Sequence, residues 1–184
     1  MDIFQKKVNE FESAADMLHG QSLYANDVVT QNLYYACFLR LKSMMSTYFF
    51  TQRGFEEFEK LYRKIGNSSS HEESLLRLST LISHRKIVNT SDIKKAFDSI
   101  RILKTNRHIA AYKPILIEDF GVMKMFIIKQ EVFKFCMNIE SIISNNKNTY
   151  PKIASITIQN KVTKLKWRVS YTGGKSDDSF YTPK

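Results

Sequence analysis

The sequence predicts a mainly α-helical protein, a bundle of about five helices over residues 1–146 followed by a basic C-terminal β-hairpin extension and tail over 147–184. Three observations carry this. Apolar residues recur every three or four positions through long segments, capping residues stand where those segments begin, and after Asn145-Asn146-Lys147-Asn148 the period shortens to two.

Asp2 is placed to cap a first helix whose Phe4, Val8, Phe11, Ala15 and Leu18 share one face, with Gly20 as its stop. A longer helix is predicted from Ser22 to about Phe50, with Leu23, Val29, Leu33, Ala36, Cys37, Leu41 and Met44 at helical spacing. Within it Tyr34, Tyr35 and Phe38 read as core aromatics. Gly54 is read as a break, followed by a short amphipathic piece from Phe55 to Ile65 and a polar loop, Gly66-Asn67-Ser68-Ser69.

Ser70-His71-Glu72-Glu73 fits a capping box, so another helix begins there and runs to about Ile82. Ser91 or Asp92 caps the next, which carries Ile93, Phe97, Ile100 and Leu103 and is ended by Pro114. The last long helix is predicted from Glu118 to about Ser144. It is apolar nearly all round over Val122 to Cys136, which makes it the helix expected to be most buried. Ala154, Ile156 and Ile158 then alternate with polar residues, as do Leu165, Trp167, Val169 and Tyr171, giving two strands with a turn near Asn160-Lys161. Gly173-Gly174 closes the second strand, residues 175–184 read as a frayed tail, and a lone hairpin needs something to pack on.

At 184 residues, 43% hydrophobic and 25% charged, the chain has ordinary globular composition and enough length for one real core. The charged N-terminus is followed by no apolar run and no membrane-length stretch exists, so the expectation is a cytoplasmic protein without a signal peptide. Cys37 and Cys136 each sit inside an apolar helical pattern, outside any paired motif, and read as buried thiols of a reducing compartment. His19, His71, His84 and His108 show no ligand spacing, so neither a metal nor a cofactor is expected. Net charge is +10, of which residues 147–184 contribute +6, from eight Lys and Arg against Asp177 and Asp178. That concentration points to one segment meeting a polyanion.

Three stretches in order carry a family likeness: Ser22 to Phe38 (SLYANDVVTQNLYYACF), Ser70-His71, and Leu103 to Tyr112 (LKTNRHIAAY). They resemble the small prokaryotic HEPN proteins, over roughly residues 1–146. The resemblance implies an up-and-down helical bundle that forms homodimers and serves in toxin-antitoxin or antiviral defence systems. It also implies RNA as a partner, and for many members metal-independent endoribonuclease activity. In those nucleases an Arg stabilises the phosphorane charge and a His moves the proton.

Aligned on Ala110 and Tyr112, the family Arg falls on Arg107 and the nuclease His would fall near Lys113, where no His stands; the acid between Ala and Tyr is also absent, its place taken by Ala111. A second register pairs Arg101 with His108 two turns later on one helical face, with Ile102 at a usually polar position. Under either register His108 is the candidate general acid or base and Arg101 or Arg107 the phosphorane stabiliser; the other reading is a basic helix face contacting RNA. Tyr112 corresponds to a Tyr near which some family toxins are modified. His71 is either a second site imidazole or an exposed first-turn residue, and His84-Arg85-Lys86 reads as basic residues suiting a helix C-terminus.

Lys104 and Lys113 flank this stretch as RNA contacts. Lys164, Lys166 and Arg168 project from one face of the second strand, Trp167 and Tyr171 from the other. Those cations either grip phosphates or guard an exposed strand. The competing reading is a non-catalytic helical subunit that binds a partner protein, for example a nucleotidyltransferase antitoxin, its hairpin adding a strand to that partner.

Overall fold

The helical periods of the sequence become six α-helices among the described residues, and the protein is mainly helical with a small three-stranded antiparallel sheet near its C-terminal end. The structure is a computed structural model that describes the backbone of residues 3–62, 70–113, 115–160, 164–173 and 178–183, with their side chains except at 61, 62, 70, 160, 164, 165 and 180–183. The helices are α1 (Ile3–Leu18), α2 (Leu23–Met44), α3 (Gln52–Tyr62), α4 (Ser70–Arg85), α5 (Thr90–Tyr112) and α6 (Asp119–Asn145). The strands are β1 (Ile153–Asn160), β2 (Lys164–Tyr171) and β3 (Asp178–Pro183), in the order β1-β2-β3. None of the described helices is long and apolar enough to cross a membrane. The chain forms two compact units, Met1–Ser43 with Lys94–Asn138 and Met44–Ile93 with Ile139–Lys184.

In the first unit, Gly20 adopts φ +80 after α1, the left-handed conformation that stops a helix at little cost only for Gly. Ser22 Oγ accepts from the Ala25 amide at 3.2 Å and caps α2. Val8, Leu33, Cys37, Leu41, Phe97, Ile100, Leu103, Val132 and Cys136 are buried together with Tyr34 and Phe38. Phe97 meets the Phe135 ring edge-on at 6.4 Å, joining α5 to α6. Lys129 donates to Glu12 at 2.7 Å, both largely shielded, joining α6 to α1. Asn26, fully buried, donates to the Ile117 carbonyl at 3.0 Å and to Asp119 at 2.8 Å, which fixes the entry to α6 on α2.

The expectation that α6 is the most buried helix fails on one stripe. Phe120, Met123 and Ile127 are 69%, 49% and 57% exposed. Apolar residues all round a helix leave the buried face undetermined by composition, and neighbours cover only the Val122, Met125, Val132 and Cys136 side.

The second unit departs from the predicted elements at several points. The helix expected to reach Phe50 ends its α-form at Met44 and continues as a π-turn, Met45–Phe49. Met45 and Phe49 are both fully buried, and Phe50 leaves the turn in an extended conformation. Gly54 does not break a helix but lies in the first turn of α3, where Thr51 Oγ1 caps its amide at 3.2 Å. A Cβ there would collide with the Ile153 carbonyl oxygen, so Gly54 is what allows α3 to press against β1. The same carbonyl accepts from the Thr51 amide at 2.9 Å, and Glu57 accepts from the Ile156 amide at 3.3 Å. Phe50, Phe55 and Phe58 pack under this contact, with Phe50 and Phe58 ring centres 5.0 Å apart.

The Ser70 side chain, Pro114, Asp2 and Lys161 lie outside the described residues, so the capping box and the expected stops at those positions are not described. Glu73 accepts from Arg77, whose Nε stands 2.8 Å away and whose side chain is fully buried. The cap of α5 is Asn89 rather than Ser91 or Asp92: Asn89 Oδ1 accepts from the Asp92 amide at 2.8 Å, and Asp92 accepts back from the Asn89 side chain at 2.7 Å. The predicted hairpin is a three-stranded sheet, because residues read as a frayed tail form β3 and pair with β2 from Lys164↔Pro183 to Val169↔Asp178. The register of β1 on β2 shifts between Ile153 and Ser155. That bulge lets Ile153 and Ile156 both be buried although three positions apart.

Candidate functional site

The residues singled out on α5 divide into two groups. Arg101 Nη1 donates to Asp98 Oδ1 at 3.1 Å, one turn toward the helix start, so its guanidinium is drawn away from His108. The two residues lie about 10 Å apart along the axis. The structure does not bring Arg101 and His108 together within one chain.

It does bring Arg107, His108 and Tyr112 together at the end of the helix, and it adds Tyr35 from α2. Arg107 Nη2 donates to the Tyr35 hydroxyl at 2.8 Å. Its guanidinium carbon stands 5.4 Å from the Tyr35 ring centre and 5.8 Å from that of Tyr112, both within cation–π range. Its Nε is buried without a hydrogen-bond partner among the described residues. The exposed His108 ring lies 5.0 Å from that of Tyr112, itself 65% exposed. Lys113 is exposed one residue further on and Lys104 is half-buried one turn before.

Tyr35 was expected in the core with Tyr34 and Phe38. Those two are buried at 1% and 6% exposure, whereas Tyr35 is half-buried and reaches Arg107. Adjacent helical residues point about 100° apart, which carries Tyr35 to the edge of the buried face on which Tyr34 and Phe38 lie. Spacing alone did not single it out, since Ala36, Cys37 and Phe38 are consecutive and all buried.

On the sheet, Trp167 and Val169 are buried at 0% and 1% exposure while Arg168 is exposed and Lys166 half-buried. Cations and apolar residues therefore occupy opposite faces of β2. The Lys164 side chain lies outside the described residues. His71 is half-buried in the first turn of α4.

A second cluster in the second unit lies at the end of α4, where a basic helix terminus was expected to do no more than suit the dipole. His84 Nε2 donates to Asp178 Oδ2 at 2.6 Å, tying β3 to α4. Arg85 Nη1 donates to the Pro151 carbonyl at 3.0 Å. The Arg85 guanidinium carbon is 5.8 Å from the Phe49 ring centre, 5.7 Å from Tyr150 and 5.3 Å from Tyr171. Burial holds its pKa below the ordinary arginine value, opposed by the two tyrosines, and burial likewise pushes the Tyr171 hydroxyl up. His84, Arg85, Lys86, Tyr150, Tyr171 and Asp178 line a cavity of about 630 Å³. Only folding reveals this cluster, since Asp178 stands 94 residues beyond its partner.

The chain matches none of the family models, curated proteins or solved structures with which it was compared.

Proposed function

We propose that the protein is an up-and-down, HEPN-like helical bundle of a toxin-antitoxin or antiviral defence system that binds RNA through the end of α5. One observation supports this above others: a guanidinium over two tyrosine rings, beside an exposed His–Tyr pair. Exposed aromatic faces stack on bases whatever their sequence, and neighbouring cations hold the phosphates. Arg107, His108 and Tyr112 supply both, with Lys104 and Lys113 alongside.

The same geometry favours binding over cleavage within one chain, because Arg101 is drawn by Asp98 away from His108, and Arg107 gives its Nη2 to Tyr35 and lies over the tyrosine rings, the arrangement of a binding surface. The test is incubation of labelled RNA with the protein in excess EDTA. Binding without His108-dependent cleavage is expected. Cleavage that disappears in His108→Ala would contradict this and restore the Arg–His pair, completed by a second copy.

The exposed stripe of Phe120, Met123 and Ile127 favours a second component, an interface with another protein chain. A homodimer through α6 is the form proposed, with a nucleotidyltransferase-type antitoxin as the alternative occupant. Sedimentation of wild type and Phe120→Glu decides: a dimer that the substitution splits is expected, and a monomer in both would contradict it.

A further inference from the structure

The cavity at the end of α4 has features that a merely structural helix terminus does not need. Arg85 is partly withdrawn from water, yet no carboxylate pairs with it among the described residues. Its contacts are a carbonyl and three aromatic rings, and its Nη2 has no acceptor among the described residues. Among the described lining residues Asp178 is the one acid, and it is engaged by His84 at 2.6 Å. An arginine remains protonated in such surroundings, so Arg85 brings to the cavity a positive charge with no direct carboxylate partner among the described residues.

Lys86 adds a second cation in an unusual way. It adopts φ 50, the left-handed conformation that a helix end normally gives to Gly or Asn. A lysine there carries a backbone cost that Gly would avoid, which points to use of its side chain.

We propose that this cavity binds a nucleoside monophosphate unit, with Arg85 and Lys86 on the phosphate and Tyr150 and Tyr171 beside the base. The size supports this, since about 630 Å³ lies in the range of small-molecule sites. The Arg85 bond to Pro151 and the ring contacts hold the guanidinium before any ligand arrives, which lowers the cost of binding. The chemistry is shared by a free nucleotide and by the phosphorylated end of an RNA strand. The residues of this cavity are not those of the α5 cluster, and the proposal does not rest on RNA binding there.

The test is calorimetric titration of the full chain with AMP, adenosine, and an oligonucleotide with and without a 5′-phosphate, repeated with Lys86→Gly. Saturable AMP binding, at least tenfold tighter than adenosine, is expected. Lys86→Gly should weaken it about tenfold while raising the thermal midpoint, because Gly relieves the backbone cost. AMP bound more tightly than the phosphorylated oligonucleotide assigns the site to free nucleotide, and the reverse assigns it to an RNA end. Absence of saturable binding by every phosphorylated probe, equal binding of AMP and adenosine, or unchanged binding by Lys86→Gly would overturn the proposal. Because Tyr112→Ala leaves this cavity intact, AMP binding in that variant separates this result from the fate of RNA binding at α5.

Discussion

Arg107 of α5 donates to the hydroxyl of Tyr35 on α2 at 2.8 Å and lies over the same ring, so one side chain fixes two helices together and orients the exposed end of α5. Tyr35→Phe keeps the ring and removes the acceptor. A hydrogen bond to a charged donor contributes about 1.5 kcal/mol or more, so urea unfolding should show a loss of that order. A loss below about 0.5 kcal/mol would mean that the cation–π contact alone carries the junction.

Gly54 faces the Ile153 carbonyl with no room for a methyl group. In an exposed helix Gly→Ala stabilises by up to about 1 kcal/mol. Here the sign should reverse, with Gly54→Ala destabilising by about 2 kcal/mol as α3 is pushed off β1. Chemical denaturation measures it, and a stabilised variant would show that α3 and β1 have slack the structure does not suggest.

The helices were legible because their signals are local. Ser22 and Gly20 bracket the first turn between helices as their chemistry requires, and Leu33, Cys37 and Leu41 are buried where the period put them. What escaped depends on distant partners. Gly54 looked like a breaker because the Ile153 carbonyl lies about a hundred residues on, and β3 looked like tail because only β2 can pair with it. The bulge at Ala154 shifted the strand alternation by one residue, so Ile153 could not be assigned a face from period alone. At the candidate site Arg107, His108 and Tyr112 were nameable from their stretch, whereas Tyr35, Arg85 and Asp178 acquire meaning only through contacts.

Cys37 supplies a pH dependence. Burial, and next the neighbouring Cys136, push its thiol well above the ordinary range. A raised folded-state pKa stabilises the fold below the unfolded value, near about 8.5, and that contribution is lost as pH rises through the folded value. Tyr171, also raised by burial, adds a further loss above about pH 10. Thermal midpoints should therefore hold level near neutrality and fall from about pH 8.5 upward. Cys37→Ala should flatten the first part of that fall. Native protein at pH 8 should also react with a thiol reagent far more slowly than denatured protein, and rapid native labelling of Cys37 would refute its burial.

The central claim is that RNA binds at the end of α5, and the most direct measurement is fluorescence anisotropy of a labelled single-stranded RNA titrated with wild type and Tyr112→Ala at several salt concentrations. Tyr112 is largely exposed, so its loss should leave the fold intact. Wild type should bind with an affinity that falls as salt rises, and Tyr112→Ala should bind about tenfold more weakly, the contribution of one stacked base. Equal binding by the two proteins, or no binding by wild type at low salt, would contradict it.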